Sequence, residues 1–192
     1  MGKRIIVFVI SFMTFAGLAQ ELETRNHLLG GSATISPGFQ KNNEDMNIYI
    51  HGFAYFYPEP KVSINGEMYW YVGAQEQQTL MAENSTLLFG PNYHFLKDGP
   101  FDPHIGIMPA ISLVSAIDRS STIPVVGDFS VVPLLSFNVG ARYHFMKWFN
   151  VFASARYMMG SLTENYPESL SLNELRVSFG LGFNLYNAKP KD

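Results

Sequence analysis

Five charged side chains fall where an alternating sequence would turn them to one side: Glu67, Arg142, Arg156, Glu174 and Arg176. Carboxylates and guanidiniums gathered on one face satisfy one another through charge-assisted hydrogen bonds. They are therefore expected to form a polar network rather than a reactive centre. By strand parity His94, His104 and His144 share that side near one edge, and His51 lies in an earlier segment whose two faces are both partly aromatic. Three imidazoles at one level could hold a metal. No short histidine spacing or paired carboxylate accompanies them, so the expectation is hydrogen-bonded histidines, with no metal and no other cofactor. Serines are plentiful, among them Ser112, Ser115, Ser154 and Ser161. None lies in a nucleophile-elbow setting and no Ser–His–acid spacing stands out, so no catalytic residue is expected. Gly140, Gly180 and Gly182 lack the following helix that a phosphate cradle needs.

The elements that must position these residues are strands. In Val131–Phe145, Leu135, Phe137, Val139 and Tyr143 alternate with Ser136, Asn138, Arg142 and His144. In Asn173–Tyr186, Leu175, Val177, Phe179, Leu181, Phe183 and Leu185 oppose Glu174, Arg176, Ser178, Gly180, Gly182 and Asn184. A period of two with one apolar and one small or polar face marks a β-strand. The same reading places strands at Leu28–Gln40, Met46–Tyr57, Glu67–Gln77, Ser85–Phe95, Phe101–Ile117 and Phe149–Ser161, eight in all. Pro58, Pro60 and Asn65-Gly66 are read as breaking the chain between the second and third. The connections after strands three, five and seven are long and polar, and those after four and six are short and flanked by aromatics. Tyr93-His94-Phe95 and Tyr143-His144-Phe145 each precede a short turn carrying Lys97 or Lys147, and Phe183–Tyr186 closes the last strand at the same level.

Composition bounds the setting. Hydrophobic residues make up 47% of the 192 and charged residues only 15%, which is low for a surface meeting water. Yet no segment beyond the N-terminus is apolar for the ~20 residues that a spanning helix requires. Lys3 and Arg4 precede the apolar run Ile5–Phe15, and Gly17 and Ala19 stand before a cut ahead of Gln20. Residues 1–19 are thus expected to be a secretory signal peptide, leaving residues 20–192 as one domain. A net charge of −3 argues against nucleic acid as a partner. With no cysteine, the chain has no disulfide framework and no thiol nucleophile.

In lipid every backbone polar group must be satisfied internally, so an open sheet cannot span. Eight strands close into a barrel whose interior the side chains fill. The fold expected is all-β, an eight-stranded antiparallel up-and-down transmembrane β-barrel with the charged residues inside. A soluble ligand-binding barrel would invert the two faces. The hairpin GARYHFMKWFNVFASARY, Gly140–Tyr157, and the closing VSFGLGFNLY, Val177–Tyr186, resemble the OmpA/OmpX-like small outer-membrane barrels, and the resemblance spans Leu28–Tyr186. It implies an outer-membrane protein of a Gram-negative bacterium, monomeric, with the lipid bilayer and the barrel assembly machinery as partners. It implies a structural, adhesive or partner-binding role through extracellular loops, and, with no catalytic motif in the chain, no catalysis is expected. Family barrels often end on an aromatic residue read by that machinery, whereas here Asn187–Asp192 runs on past Tyr186. The runner-up is a lipid-modifying Ser/His hydrolase or acyltransferase, and a narrow pore is third. The loops Asp118–Asp128 and Leu162–Leu172, with Arg119, Glu164 and Glu168, are the expected contact surface.

Overall fold

The computed structural model describes residues 25–40, 46–75, 81–118, 125–162 and 170–187. The expected signal peptide, Arg119, Glu164, Glu168 and residues 188–192 lie outside the described residues. Eight long strands carry the fold: β1 Leu28–Gln40, β2 Met46–Glu59, β3 Val62–Ala74, β4 Met81–His94, β5 Phe101–Asp118, β6 Ser130–Met146, β7 Phe149–Met159 and β8 Glu174–Asn187. Every strand pairs antiparallel with its neighbours in sequence, and β1 pairs with β8, so the sheet closes on itself. Two-residue ladders, Val125–Val126 on β5 and Ser161–Leu162 with Leu170–Ser171, decorate one end. The described residues contain no helix.

Closure satisfies the backbone, and the stagger of the strands sets the shape. Gly38 pairs with Arg176, Arg176 with Arg156, Arg156 with Asn138, Asn138 with Gly106, Gly106 with Asn92 and Asn92 with Ser63. The next residue, Ile64, pairs through Phe56 to Leu29. One circuit of the ladder therefore leads from near one end of β1 to the other, as tilted strands of a small barrel require. Both chain ends of the barrel, Leu28 and Asn187, are paired. They share one rim with the connections β2–β3, β4–β5 and β6–β7, called here the turn end. The other four connections lie at the loop end.

Two strand boundaries differ from the sequence reading. Pro58 to Gly66 is no long break: β2 runs to Glu59, only Pro60 and Lys61 turn, and β3 begins at Val62. Asn65 and Gly66 pair across to Tyr55 and Ala54, so a dipeptide favoured in turns is held in a ladder. β4 begins at Met81 rather than Ser85, because its first residues pair with Ala116, Ser115 and Val114 of β5.

The two faces are chemically distinct. Outward-facing Ile35, Ile50, Phe89, Ile107, Val139, Phe179 and Leu181 are exposed. Phe56, Tyr93, Phe95, Phe101, Trp148, Phe149 and Phe183 are exposed toward the turn end, and Phe39, Trp70 and Phe129 toward the loop end. Inside, alternate residues are buried.

One seam of the wall is incomplete. The β3–β4 ladder ends at Tyr69–Thr86, although β3 continues to Ala74 and β4 starts at Met81. Above that pair β3 stays with β2 and β4 stays with β5. Each bordering strand carries a bulge there: Val72 is the extra residue between the Tyr49–Tyr71 and Ile48–Gly73 pairs, and Ala82 between Met81–Ala116 and Glu83–Ser115. Bulges bend a strand and steepen its twist, and Gly73 takes a φ of +152° that suits glycine.

Candidate functional site

The interior is filled by three polar layers and an apolar cap. Among the described residues the fully charged side chains buried there are Arg25, Glu67, Asp102, Arg142, Arg156, Glu174 and Arg176. Charges so placed must be paired, because an isolated buried charge is costly.

At the loop end, Arg176 Nε donates to Glu174 Oε2 at 2.6 Å, and its other nitrogens donate to Thr86 Oγ1 and the Tyr49 hydroxyl. Its guanidinium lies 4.1 Å from the Tyr49 ring centre. Glu174 also accepts from Asn47 Nδ2 at 2.6 Å and from the Tyr49 hydroxyl at 2.9 Å. A Cβ on Gly38 would collide with Glu174 and Tyr49, so only glycine leaves this layer room. Beyond it the lumen turns apolar, with Met81, Val114, Ala116, Val132, Leu134, Met158, Leu162 and Leu172 packed together. The sequence reading had not placed an apolar cap inside.

In the middle layer, Arg156 donates to Glu67 Oε1 at 2.6 Å and to Ser136 Oγ at 2.9 Å. His51 bridges Glu67 Oε2 and Ser178 Oγ and stacks on Tyr69 at 4.0 Å. Arg156 and Arg176 are direct cross-strand neighbours, an unfavourable placement that their separate carboxylates offset. The pocket beside Glu67, Arg142 and Arg156 measures only about 20 Å³, room for roughly one water.

The turn-end layer centres on Asp102. It accepts from the Arg25 guanidinium, from the Tyr57 hydroxyl and at 2.7 Å from His94 Nδ1. Arg142 approaches it only to 3.8 Å, donates to the Tyr57 hydroxyl at 3.0 Å and lies 4.0 Å from the Tyr55 ring. Arg25 also donates to the Leu96 carbonyl at 3.0 Å, tying the residues before β1 to the β4–β5 connection. Of the five residues singled out in the sequence, the structure thus brings together Glu67 with Arg156 and Glu174 with Arg176. Arg142 joins neither pair. Arg25 and Asp102 were missed, and the available signal was parity: Asp102 lies two residues from inward His104.

The histidines divide. The His94 and His104 rings are 5.2 Å apart, while His144 contacts the Asn184 amide at 3.2 Å. His94, Asp102 and His104 offer ligand atoms within 4.8 Å of one another. The Asp102 carboxylate is already engaged by Arg25, and a cation there would face two guanidiniums, so the cluster is a poor fit to a metal. Ser112 bonds Asn84 and Ser115 bonds the Gly127 carbonyl. A serine that the sequence reading passed over, Ser63, lies 2.8 Å from His94 Nε2, so Ser63, His94 and Asp102 form a chain of nucleophile, base and acid. All three are fully enclosed, and Ser63 also donates to Asn65 Oδ1 at 3.0 Å.

No family model matches the sequence, and no curated protein does. Solved structures share the fold. The N-terminal β-barrel domain of Pseudomonas aeruginosa OprF is similar at a TM-score of 0.55 and 15% identity, over 83% of this chain and 98% of that one. Neisserial surface protein A (NspA) is similar at a TM-score of 0.58 and 13% identity, over 82% of this chain and 96% of that one. The chain therefore has the fold of the small eight-stranded outer-membrane barrels that its sequence resembles.

Proposed function

We propose that the chain is an outer-membrane β-barrel of a Gram-negative bacterium, exported by residues 1–19 and delivered by the barrel assembly machinery. In this reading it is a monomer with a structural, adhesive or partner-binding role, exercised through the connections at the loop end. The observation that carries it is the sorting of side chains across the wall. An apolar belt this extensive on a closed sheet is what a bilayer covers. A lumen of paired charges gives a stable plug and leaves no reactive surface within reach of a substrate.

Two measurements test this. Outer-membrane fractionation, with protease applied to whole cells, is expected to find the chain in that membrane and cut at residues 119–124 or 163–169. Recovery from the soluble fraction would end the proposal. Mass spectra of lipid A with and without the protein are expected to match, and an altered acyl pattern would overturn the non-catalytic role.

The chain Ser63–His94–Asp102 favours a second reading, a serine hydrolase. A nucleophile within hydrogen-bond reach of an oriented base is what such chemistry needs. Its burial opposes this. Labelling of the folded barrel by a fluorophosphonate, lost in Ser63→Ala, would establish it.

A further inference from the structure

The carboxylates of the lumen do not match its guanidiniums one for one. Among the described residues four arginines, Arg25, Arg142, Arg156 and Arg176, are buried there with three acids, Glu67, Asp102 and Glu174. Glu174 answers Arg176 at 2.6 Å, and Glu67 answers Arg156 at 2.6 Å. Asp102 is shared: the Arg25 guanidinium bonds to it, and Arg142 stands off at 3.8 Å. One positive charge is left over, and it falls on Arg142. A buried charge without a counter-charge is costly, and the Tyr55 ring beneath Arg142 offsets only part of that cost. Protonation of any buried histidine would enlarge the surplus.

The cavity of about 20 Å³ lies beside this charge, with Arg142, Arg156, Asn138, Ser154 and Glu67 in its lining. Two small residues make the room: the Gly140–Ser154 pair stands between the Arg142–Phe152 and Asn138–Arg156 pairs of β6 and β7. Donors converge there. Arg142 meets both Tyr57 and Asp102 through Nη1, which leaves its Nε and Nη2. Arg156 spends Nη2 on Glu67 and Nη1 on Ser136, and its Nε is buried without a hydrogen-bond partner among the described residues. The buried Asn138 has an unpartnered amide oxygen beside them, and a half-turn of that amide presents its NH2 group instead. The Glu67 oxygens are already held by Arg156 and His51.

We propose that this cavity binds one halide ion, ordinarily chloride, between Arg142 and Arg156. The inference stands apart from the outer-membrane reading, because it uses only the interior of the barrel. Volume limits the occupant: room for about one water admits a single halide and excludes phosphate, sulfate or an organic acid. Charge chooses the halide over water. A water would satisfy Arg156 Nε but leave the surplus on Arg142, whereas an anion cancels it and gains charge-assisted hydrogen bonds from both guanidiniums. The ion is then the fourth counter-charge of the plug.

The chain is refolded in detergent with sodium bromide as the only halide, crystallised, and measured at the bromine absorption edge. An anomalous peak in the cavity between Arg142 and Arg156 is expected. In urea unfolding at fixed ionic strength, bromide is exchanged against gluconate, which is too large to enter. The folding constant is expected to rise about tenfold for each tenfold rise in bromide once the site is mostly filled. Asn138→Asp, nearly isosteric, builds a carboxylate beside the two guanidiniums. It is expected to stay folded and to lose both the peak and the bromide dependence. Arg142→Gln removes the surplus charge and is expected to lose them too; if it does not fold, Asn138→Asp decides alone. An ordered water without anomalous signal, bromide elsewhere as an adventitious ion only, or binding that survives Asn138→Asp overturns the inference.

Discussion

Among the described residues the guanidinium of Arg156 has one carboxylate within reach, that of Glu67 at 2.6 Å, and both groups are almost wholly enclosed. Removing one member of such a pair strands the other. Glu67→Ala is expected to cost about 3–5 kcal/mol, whereas Glu67→Leu combined with Arg156→Met is expected to lie near neutral. Urea unfolding in vesicles, followed by the gel shift between folded and unfolded barrel, measures both; equal losses in the two variants would mean that the pair is not what holds this layer. Arg25→Ala is milder, because Asp102 keeps Tyr57 and His94. The loss of a charged hydrogen bond suggests about 1.5–3 kcal/mol by the same assay. These residues differ in how legible they are. Glu67, Arg156, Glu174 and Arg176 stand in strict alternation with apolar neighbours, and a charge on the inner face of a membrane barrel must find a partner. Arg25 lies in a polar lead with no period, and its partner Asp102 is 77 residues away beside a turn. Parity predicts that a residue points inward but not which inward residue it meets.

At the level of the strand, the alternation of apolar and polar positions was enough to place most elements, because each face meets one environment along its whole length. It failed where local chemistry and the ladder disagree. Asn65-Gly66 suits a hairpin turn, but the prolines permit a tighter one at Pro60-Lys61, and extending β2 and β3 adds ladder bonds at Tyr55 and Ala54. The opening between β3 and β4 was invisible for a different reason: bulges are defined by a partner strand, and a single strand's sequence does not reveal its register. The belt makes a further expectation specific. Leu181 is 57% exposed at the middle of β8. Leu181→Arg is expected to destabilise the barrel by about 2–4 kcal/mol, measured by the midpoint of urea unfolding. Insertion with unchanged stability would show that lipid does not touch this face.

Taken as one object, the barrel is a cylinder sealed by stacked layers. An ion crossing it would have to part Arg176 from Glu174, pass the 20 Å³ pocket beside Arg156 and displace Arg25 from Asp102. Planar-bilayer recording is therefore expected to show no sustained channel, and a stable open state would refute the filled lumen.

The pairing of Leu28 with Asn187 has a consequence for timing. Six of the eight seams join strands within β1–β7, and the two that complete the cylinder, to β7 and to β1, both need β8. A chain lacking Glu174 onward would carry two raw edges, β1 and β7, each a template for adhesion to a stranger. Until the final strand is in place, both margins stay open to mispairing.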